Sequence, residues 1–323
     1  MNDFELFKQK FDVHLEQYLN KKIKNIGKFT TDSSILEYIH YLKDISLSGG
    51  KRIRPYLSYL MYQTLGGKDS PVGEEKTLEF LVFMEIFHIF CLVHDDIMDK
   101  SNLRHGIPTV HAYILNLLKK AKRTGDLPHV ANSQAILLGD ILLTWSQEII
   151  NTNNDFSLTV LQEIKTYFYE MVDEVSVGQM IDVDMTTRKN VSKELIDEKT
   201  QLKTAGYSFI KPLLIGTALS GNINKDIETF CKEFGTSLGI AFQTQDDLLD
   251  IISSDSKLGK TTSLDKSQHQ HTYFTHFPSL EYGKKIIEEN FTHAKNLIKN
   301  LSIDKNEKKR FYDLVDLIQK RTS

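Results

Sequence analysis

Apolar residues recur at intervals of three and four along almost the whole chain, and no strict alternation lasts long enough to argue for a sheet. This spacing predicts helices near residues 3–24, 33–46, 55–65, 74–99, 109–121, 132–151, 156–184, 192–200, 204–220, 225–251, 280–299 and 304–320. Thr31, Asp32 and Ser33 are candidate N-caps, and Pro55 suits a first helical turn. Near the N-terminus, Phe4, Phe7, Phe11, Leu15 and Tyr18 fall on one helical stripe, as a docking helix requires. The strongest apolar run, residues 80–93, is too short to span a bilayer and contains Glu85 and His88, so it reads as a buried core helix. Loops are short except around residues 252–279, where Ser, Asp, Lys, Gly and His dominate and a mobile cover is expected. No linker divides the chain. The expectation is one all-α domain over residues 1–323, a helical bundle around a central cavity with ligand groups projecting inward.

Within that pattern, two copies of Asp-Asp-x-x-Asp stand 151 residues apart, Asp95, Asp96 and Asp99 in HDDIMDK and Asp246, Asp247 and Asp250 in QDDLLDI. Each ends a long apolar helix. Residues four apart share a helix face, so Asp95 sits over Asp99 and Asp246 over Asp250. Carboxylates held that close repel unless a cation joins them, and hard divalent ions take oxygen ligands. A third signal is Ser-Gly-Gly-Lys-Arg-Ile-Arg-Pro at residues 48–55. Its two glycines let backbone amides approach an anion, Lys51, Arg52 and Arg54 supply donors, and the helix that follows adds its positive end. Opposite charges of this kind suit a polyphosphate ligand, with metals gripping one diphosphate and basic side chains another.

Composition narrows the class further. The chain has 323 residues, 40% of them apolar, enough for a large core. Its net charge of −3 and pI near 6.4 argue against nucleic acid as the main partner. Cys91 and Cys231 cannot form a disulfide framework, and the N-terminus lacks the apolar stretch of a signal peptide, so a reducing cytoplasm is expected.

In their order along the chain, GGKRIRP, LVHDDIMD with His88 upstream and LRHGIPTVH downstream, GDILL, GQMIDVD, KTAGYSFIKPLL, and FQTQDDLLDI followed by Gly-Lys resemble the trans-prenyl diphosphate synthases, the head-to-tail polyprenyl synthetase family, over about residues 35–275. The resemblance implies an all-helical isoprenoid synthase fold and a homodimer. It also implies condensation of an allylic diphosphate with isopentenyl diphosphate, giving a C20 or C15 product. Three magnesium ions are implied, two on Asp95 and Asp99 and one on Asp246, with Asp96, Asp247 and Asp250 auxiliary. Arg104, Lys203 and Lys260 are expected to hold the allylic diphosphate, Thr204 to support it, and Gln243 to face the carbocation. Gly50, Lys51, Arg54 and His88 are expected to hold isopentenyl diphosphate. Gln179 and Asp182 match a polar pair lining the cavity, Asp182 either supporting the metal site or serving, with Gln179, as ordinary helix-interior polarity.

Two positions depart from the family pattern. His105 stands where a second arginine normally touches isopentenyl diphosphate, and Gln270 replaces a lysine. Each change removes a charge-assisted contact of roughly 1.5–3 kcal/mol unless something replaces it. His105, His269 and His271 are the candidate replacements. Phe90 and Phe87, five and eight residues before Asp95, are expected to floor the channel for the growing chain, the competing reading being that both rings pack in the core. Cys91 is small and would leave the upper channel open. Other features carry less. His269, His271 and His276 read as a polar cover rather than a metal site, Trp145 as core or dimer contact, and Glu85-x-x-His88 lacks the second copy that a di-iron bundle needs. Two other functions fit the same motifs: a terpene cyclase acting on a prenyl diphosphate, and a non-catalytic partner subunit of a prenyl synthase.

Overall fold

The computed structural model describes residues 3–67, 70–104, 106–258 and 271–320. It divides into two compact units, residues 1–59 with 71–157 and residues 60–70 with 158–323.

The first unit is built from α1 (Asp3–Ile26), α2 (Ser33–Leu47), residues 53–59 of α3 (Ile53–Thr64), α4 (Gly73–Met98), α5 (Val110–Lys120) and α6 (Leu127–Thr152). A two-residue hairpin, β1 (Leu103–Arg104) with β2 (Ile107–Pro108), joins α4 to α5, and it had no signal in the apolar spacing. The centre of this unit is α4. Phe80, Leu81, Val82, Phe83, Met84, Ile86 and Phe87 are all buried, so the helix is apolar on every side and packs against α1 and α6. Among the described residues it is the one helix long and apolar enough to cross a membrane, and 67% of that stretch is buried inside the fold.

Capping explains the helix boundaries. Asp32 opens α2 by accepting from the amides of Ser34 and Ile35. Asp126 opens α6 by accepting from the His129 amide, with a proline in the first turn, so this helix starts five residues before the expected 132. In α1 the buried stripe is Phe7, Phe11, Leu15 and Leu19. Tyr18 is only half-buried, its hydroxyl donating to the Trp145 carbonyl at 3.0 Å. Trp145 is a core residue of this unit, with the Lys22 ammonium 5.1 Å from its ring centroid.

The second unit contains α7 (Leu158–Met185), α8 (Lys193–Lys199), a π-helical stretch Thr200–Ile210, α9 (Lys211–Ser220), α10 (Lys225–Leu258), a short 3₁₀ turn Tyr273–Thr275, α11 (Leu280–Asn300) and α12 (Lys305–Gln319). The wide π turn is pressed between α7 and α10, and glycines on both helices make the approach possible. A Cβ at Gly178 of α7 would lie 2.7 Å from the Lys203 amide nitrogen. One at Gly239 of α10 would lie 2.4 Å from the Ala205 Cβ, and one at Gly235 would lie 2.6 Å from Ile210 Cγ1. The expected cover divides into parts. Its first residues continue α10 to Leu258, residues 259–270 lie outside those described, and Tyr273 is buried in a small cluster with Met185, Val191 and Ile196.

An ionic tie joins α7 to the π turn. Asp182 accepts from Lys203 at 2.6 Å and from Lys199 at 3.1 Å. Burial pushes the Asp182 carboxyl up, but the two ammoniums outweigh it and hold it below the usual carboxylate range.

Replacing Gly239 with Ala should lower the unfolding free energy by about 1–3 kcal/mol through overpacking. Denaturant titration checks this, and an unchanged midpoint would contradict the close approach. A carboxyl whose native pKa is depressed contributes stability that is full above its unfolded value near 4 and is lost as pH falls through the native value. Between about pH 5 and pH 3, wild-type stability should therefore fall more steeply than that of Asp182→Asn. Parallel stability curves would count against the tie.

Candidate active site

The first acidic motif closes α4. Asp99 caps the helix, its amide donating to the Asp95 carbonyl at 2.8 Å, and Lys100 then reverses the chain with φ of +54°. The hairpin that follows brings Arg104 back over the helix end. Arg104 Nε lies 3.0 and 3.1 Å from the two carboxylate oxygens of Asp96, and Nη2 lies 2.7 Å from Oδ1. The same Nη2 stands 3.5 Å from Asp95. Asp96 is only 1% exposed, and burial pushes its carboxyl up more than Arg104 pulls it down. His111, from the same LRHGIPTVH stretch, is buried nearby, and its pKa is lowered by burial against the pull of Asp96. Asp96 is thus an inward anchor for Arg104, while Asp95 is half-buried and Asp99 exposed.

The basic loop between α2 and α3 differs from expectation at one residue. Arg52 does not offer its guanidinium to a ligand. It turns inward, donating from Nε to Asp12 at 2.7 Å, from Nη1 to Glu85 at 2.6 Å, and from Nη2 to the Ser46 carbonyl at 2.8 Å. Lys51 is exposed and Arg54 half-buried, so these two remain the candidate ligand donors. Gly50 has φ of +88°, and a Cβ there would meet Arg52 Nη1 at 2.5 Å. A cleft within the first unit is lined by Gly49, Gly50, Glu85, His88, Asp96 and Arg104, among others. It joins the glycine loop to the acidic helix end.

The two aromatic candidates separate. Phe87 is fully buried and therefore a core residue, whereas Phe90 is half-buried, 5.5 Å from Phe87 and edge-on to His94 at 4.8 Å. His94 is fixed in turn by α6, with Nε2 3.1 Å from the Ile136 carbonyl, and a Cβ at Gly139 would meet it at 2.2 Å. Cys91 is half-buried.

In the second unit a chain of contacts crosses from the π turn to α10. The Thr204 hydroxyl donates to Gln243 Oε1 at 2.7 Å, Gln243 Nε2 donates to Asp247 at 2.9 Å, and the Tyr273 amide donates to the other Asp247 oxygen at 3.3 Å. Burial pushes the Asp247 carboxyl up to about 6, with the Gln243 hydrogen bond opposing. Asp247 is therefore buried and anchored as Asp96 is, while Asp246 is half-buried. Lys203 is held against Asp182, and Gln179 is half-buried beside Gly178. The Lys199 ammonium reaches the His271 carbonyl at 3.3 Å, and His271 Nε2 lies 3.0 Å from the Arg188 carbonyl. His105, Lys260, His269 and Gln270, and the side chain of Asp250, lie outside the described residues.

Sequence reading missed the roles of Glu85, His94, Gly139 and Lys199. For Glu85 a signal existed. It is the one acid inside the apolar run of residues 80–93, and a lone buried acid demands a buried cation. The spacing of Gly235 and Gly239 in GTSLG likewise marks a close helix contact.

Among the described residues, no group of three or more His, Cys, Asp or Glu is gathered to hold an ion unaided. Magnesium is commonly bound through one or two carboxylates together with substrate phosphates and waters. Asp95 and Asp99, four residues apart at the end of α4, are the carboxylates that could share an ion in that way.

The fold is shared with solved structures. A geranylgeranyl pyrophosphate synthase from Corynebacterium glutamicum, complexed with isoprenyl diphosphate and magnesium, superposes with a TM-score of 0.83 over 99% of this chain and 100% of that one, at 24% identity. Sequence similarity goes further. A farnesyl diphosphate synthase of Bacillus subtilis is 30% identical over 286 residues, 85% of each chain. A geranylgeranyl diphosphate synthase of Methanosarcina mazei is 29% identical over 273 residues, 83% of this chain and 74% of that one. The family model for polyprenyl synthetase matches residues 35–315. The two acidic motifs, the glycine loop and the helical scaffold together with these similarities lead to one conclusion: the chain belongs to the polyprenyl synthetase family.

Proposed function

We propose that the protein is a short-chain trans-prenyltransferase that joins an allylic diphosphate to isopentenyl diphosphate and releases diphosphate, making a C20 or C15 product. The observation that carries this reading is the cleft of the first unit, where the glycine loop and His88 meet Asp96 and Arg104 at the end of α4. The C15 and C20 synthases named among the relatives support the product class.

Heterolysis of the allylic C–O bond leaves an electron pair on the departing diphosphate and a resonance-stabilised carbocation. Magnesium held by Asp95 and Asp99, with a third ion at Asp246, would supply Lewis-acid stabilisation of that leaving group. Arg104, Lys203 and Lys260 neutralise the charge that develops there, and Thr204 supports it. Before ligand arrives, Arg104 and Lys203 are oriented by Asp96 and Asp182, so little side-chain entropy remains to be lost. The carbonyl of Gln243 accepts from Thr204 while its amide donates to Asp247, which fixes the side chain expected to face the cation. Lys51, Arg54 and His88 hold isopentenyl diphosphate, whose double bond attacks the cation. The closing proton goes to the departed diphosphate, so no side-chain base is needed. A cyclase would have no use for the isopentenyl loop, and a silent subunit no use for two intact acidic motifs. The working form is proposed to be a cytoplasmic homodimer, a reading that rests on the family resemblance.

Incubation with magnesium, dimethylallyl or farnesyl diphosphate and labelled isopentenyl diphosphate should yield elongated diphosphates ending at C15 or C20. Hydrocarbon formed from farnesyl diphosphate alone, or no turnover, would contradict the assignment. Phe90→Ala should lengthen the product by at least one isoprene unit, read by chromatography of the dephosphorylated prenols. Unchanged length would return Phe90 to the core packing already seen for Phe87.

A further inference from the structure

We propose that Glu85 is a positioning residue for isopentenyl diphosphate, acting through Arg52 to fix the loop that carries Lys51 and leads into Arg54 in the first turn of α3. The proposal rests on the functional reading above and deepens it at the acceptor site. Arg52 adopts φ of +52°, a left-handed conformation that a side chain other than glycine seldom takes. Such strain persists where the surroundings over-determine it. Here they do, because the guanidinium is held by Asp12 on α1, the Ser46 carbonyl on α2 and Glu85 on α4. The path of the loop is thereby tied to three helices at once. Gly50 passes so close to the guanidinium that a methyl group would strike it, so the loop backbone packs directly on the arginine.

Of the three anchors, Glu85 links the loop to the reaction centre. It stands on α4 one turn before His88 and ten residues before Asp95, roughly 15 Å along a rigid helix at 1.5 Å per residue. One straight element therefore carries the anchor of the acceptor loop, a candidate acceptor ligand and the acids proposed for the donor. The distance from Lys51 and Arg54 to those acids is set by the Glu85–Arg52 pair. Arg52 and Glu85 side chains are 2% and 4% exposed. An ion pair so deep is a poor stabiliser compared with apolar residues of the same volume. Its geometry gives it a use that stability does not, because bond formation requires the acceptor carbon in line with the cation.

The test compares wild type with Glu85→Asp and Arg52→Lys, which keep both charges and hence the fold but shorten or unfork the link, using magnesium, farnesyl diphosphate and isopentenyl diphosphate. Once the C–O bond breaks, the cation has two fates. Isopentenyl diphosphate gives a C–C bond and loses a proton to diphosphate. Water gives farnesol and loses a proton to solvent. A displaced acceptor shifts this partition toward farnesol. Both variants should raise KM for isopentenyl diphosphate by at least about tenfold and raise the farnesol fraction, with KM for farnesyl diphosphate within about twofold of wild type. Asp12→Asn, at a partner that is 33% exposed, should give a smaller shift in the same direction. A drop in melting temperature and kcat with both KM values and the partition unchanged would overturn the proposal and leave the pair a purely structural one. Where the wild type stops at C15, the same comparison is read with dimethylallyl diphosphate and its alcohol, and failure of the wild type to elongate either starter would instead strike the functional reading.

Discussion

A charged group taken out of water must be met by a partner of opposite charge or by hydrogen bonds, because its desolvation costs several kcal/mol otherwise. That constraint organises each unit. In the first, Asp96 is buried and met by Arg104, and Arg52 is buried and met by Asp12 and Glu85. In the second, Asp247 is buried and met by Gln243 and the Tyr273 amide, and half-buried Asp182 is met by two lysines. The second aspartate of each acidic motif is thus committed to its own scaffold. The motif's first member, Asp95 or Asp246, stands nearer the surface. In each motif one carboxylate fixes its helix so that its neighbours are presented in a defined direction, at the end of α4 as expected but inside α10, which runs on past the second motif to Leu258.

Packing gives these anchors something rigid to act against. Packed against α1 and α6, α4 is held in one rotation by its buried acids, Glu85 paired with Arg52 and Asp96 with Arg104, which leaves Asp95 and Asp99 nearer the surface. His94, the residue before the motif, rests in the space left by Gly139. In the second unit the π turn widens the helix by one residue per turn. This brings Lys203 and Thr204 toward Asp182 and Gln243, and Gly178, Gly235 and Gly239 accept the extra bulk. Pre-paired cations of this kind hold binding groups in place before a ligand arrives.

The helices were legible because burial on one face leaves a three-to-four period, and most ends fell within two residues of expectation. The start of α6 was not, since the cap Asp126 and its proline lie in a polar stretch that periodicity ignores. The π stretch spans the expected gap at residues 201–203 and the start of the helix expected over 204–220, because the wider turn barely disturbs an already apolar pattern. The hairpin is too short to alternate. At the site, residue types and order pointed to the chemistry, while orientation stayed hidden. Nothing in GGKRIRP says which of its three cations faces inward, and only the left-handed Arg52 and its three acceptors decide it. Phe87 and Phe90 look alike in sequence, and burial separates them.

Calorimetric titration with a non-ionisable thio analogue of farnesyl diphosphate, with and without magnesium, tests the division of labour within the first motif most directly. Asp95→Ala and Asp99→Ala should each remove most of the magnesium-dependent part of binding while leaving the melting temperature nearly unchanged. Asp96→Asn should lower the melting temperature and retain magnesium-dependent binding. The reverse pattern, with Asp96→Asn folded and blind to magnesium while Asp95→Ala binds normally, would contradict the account.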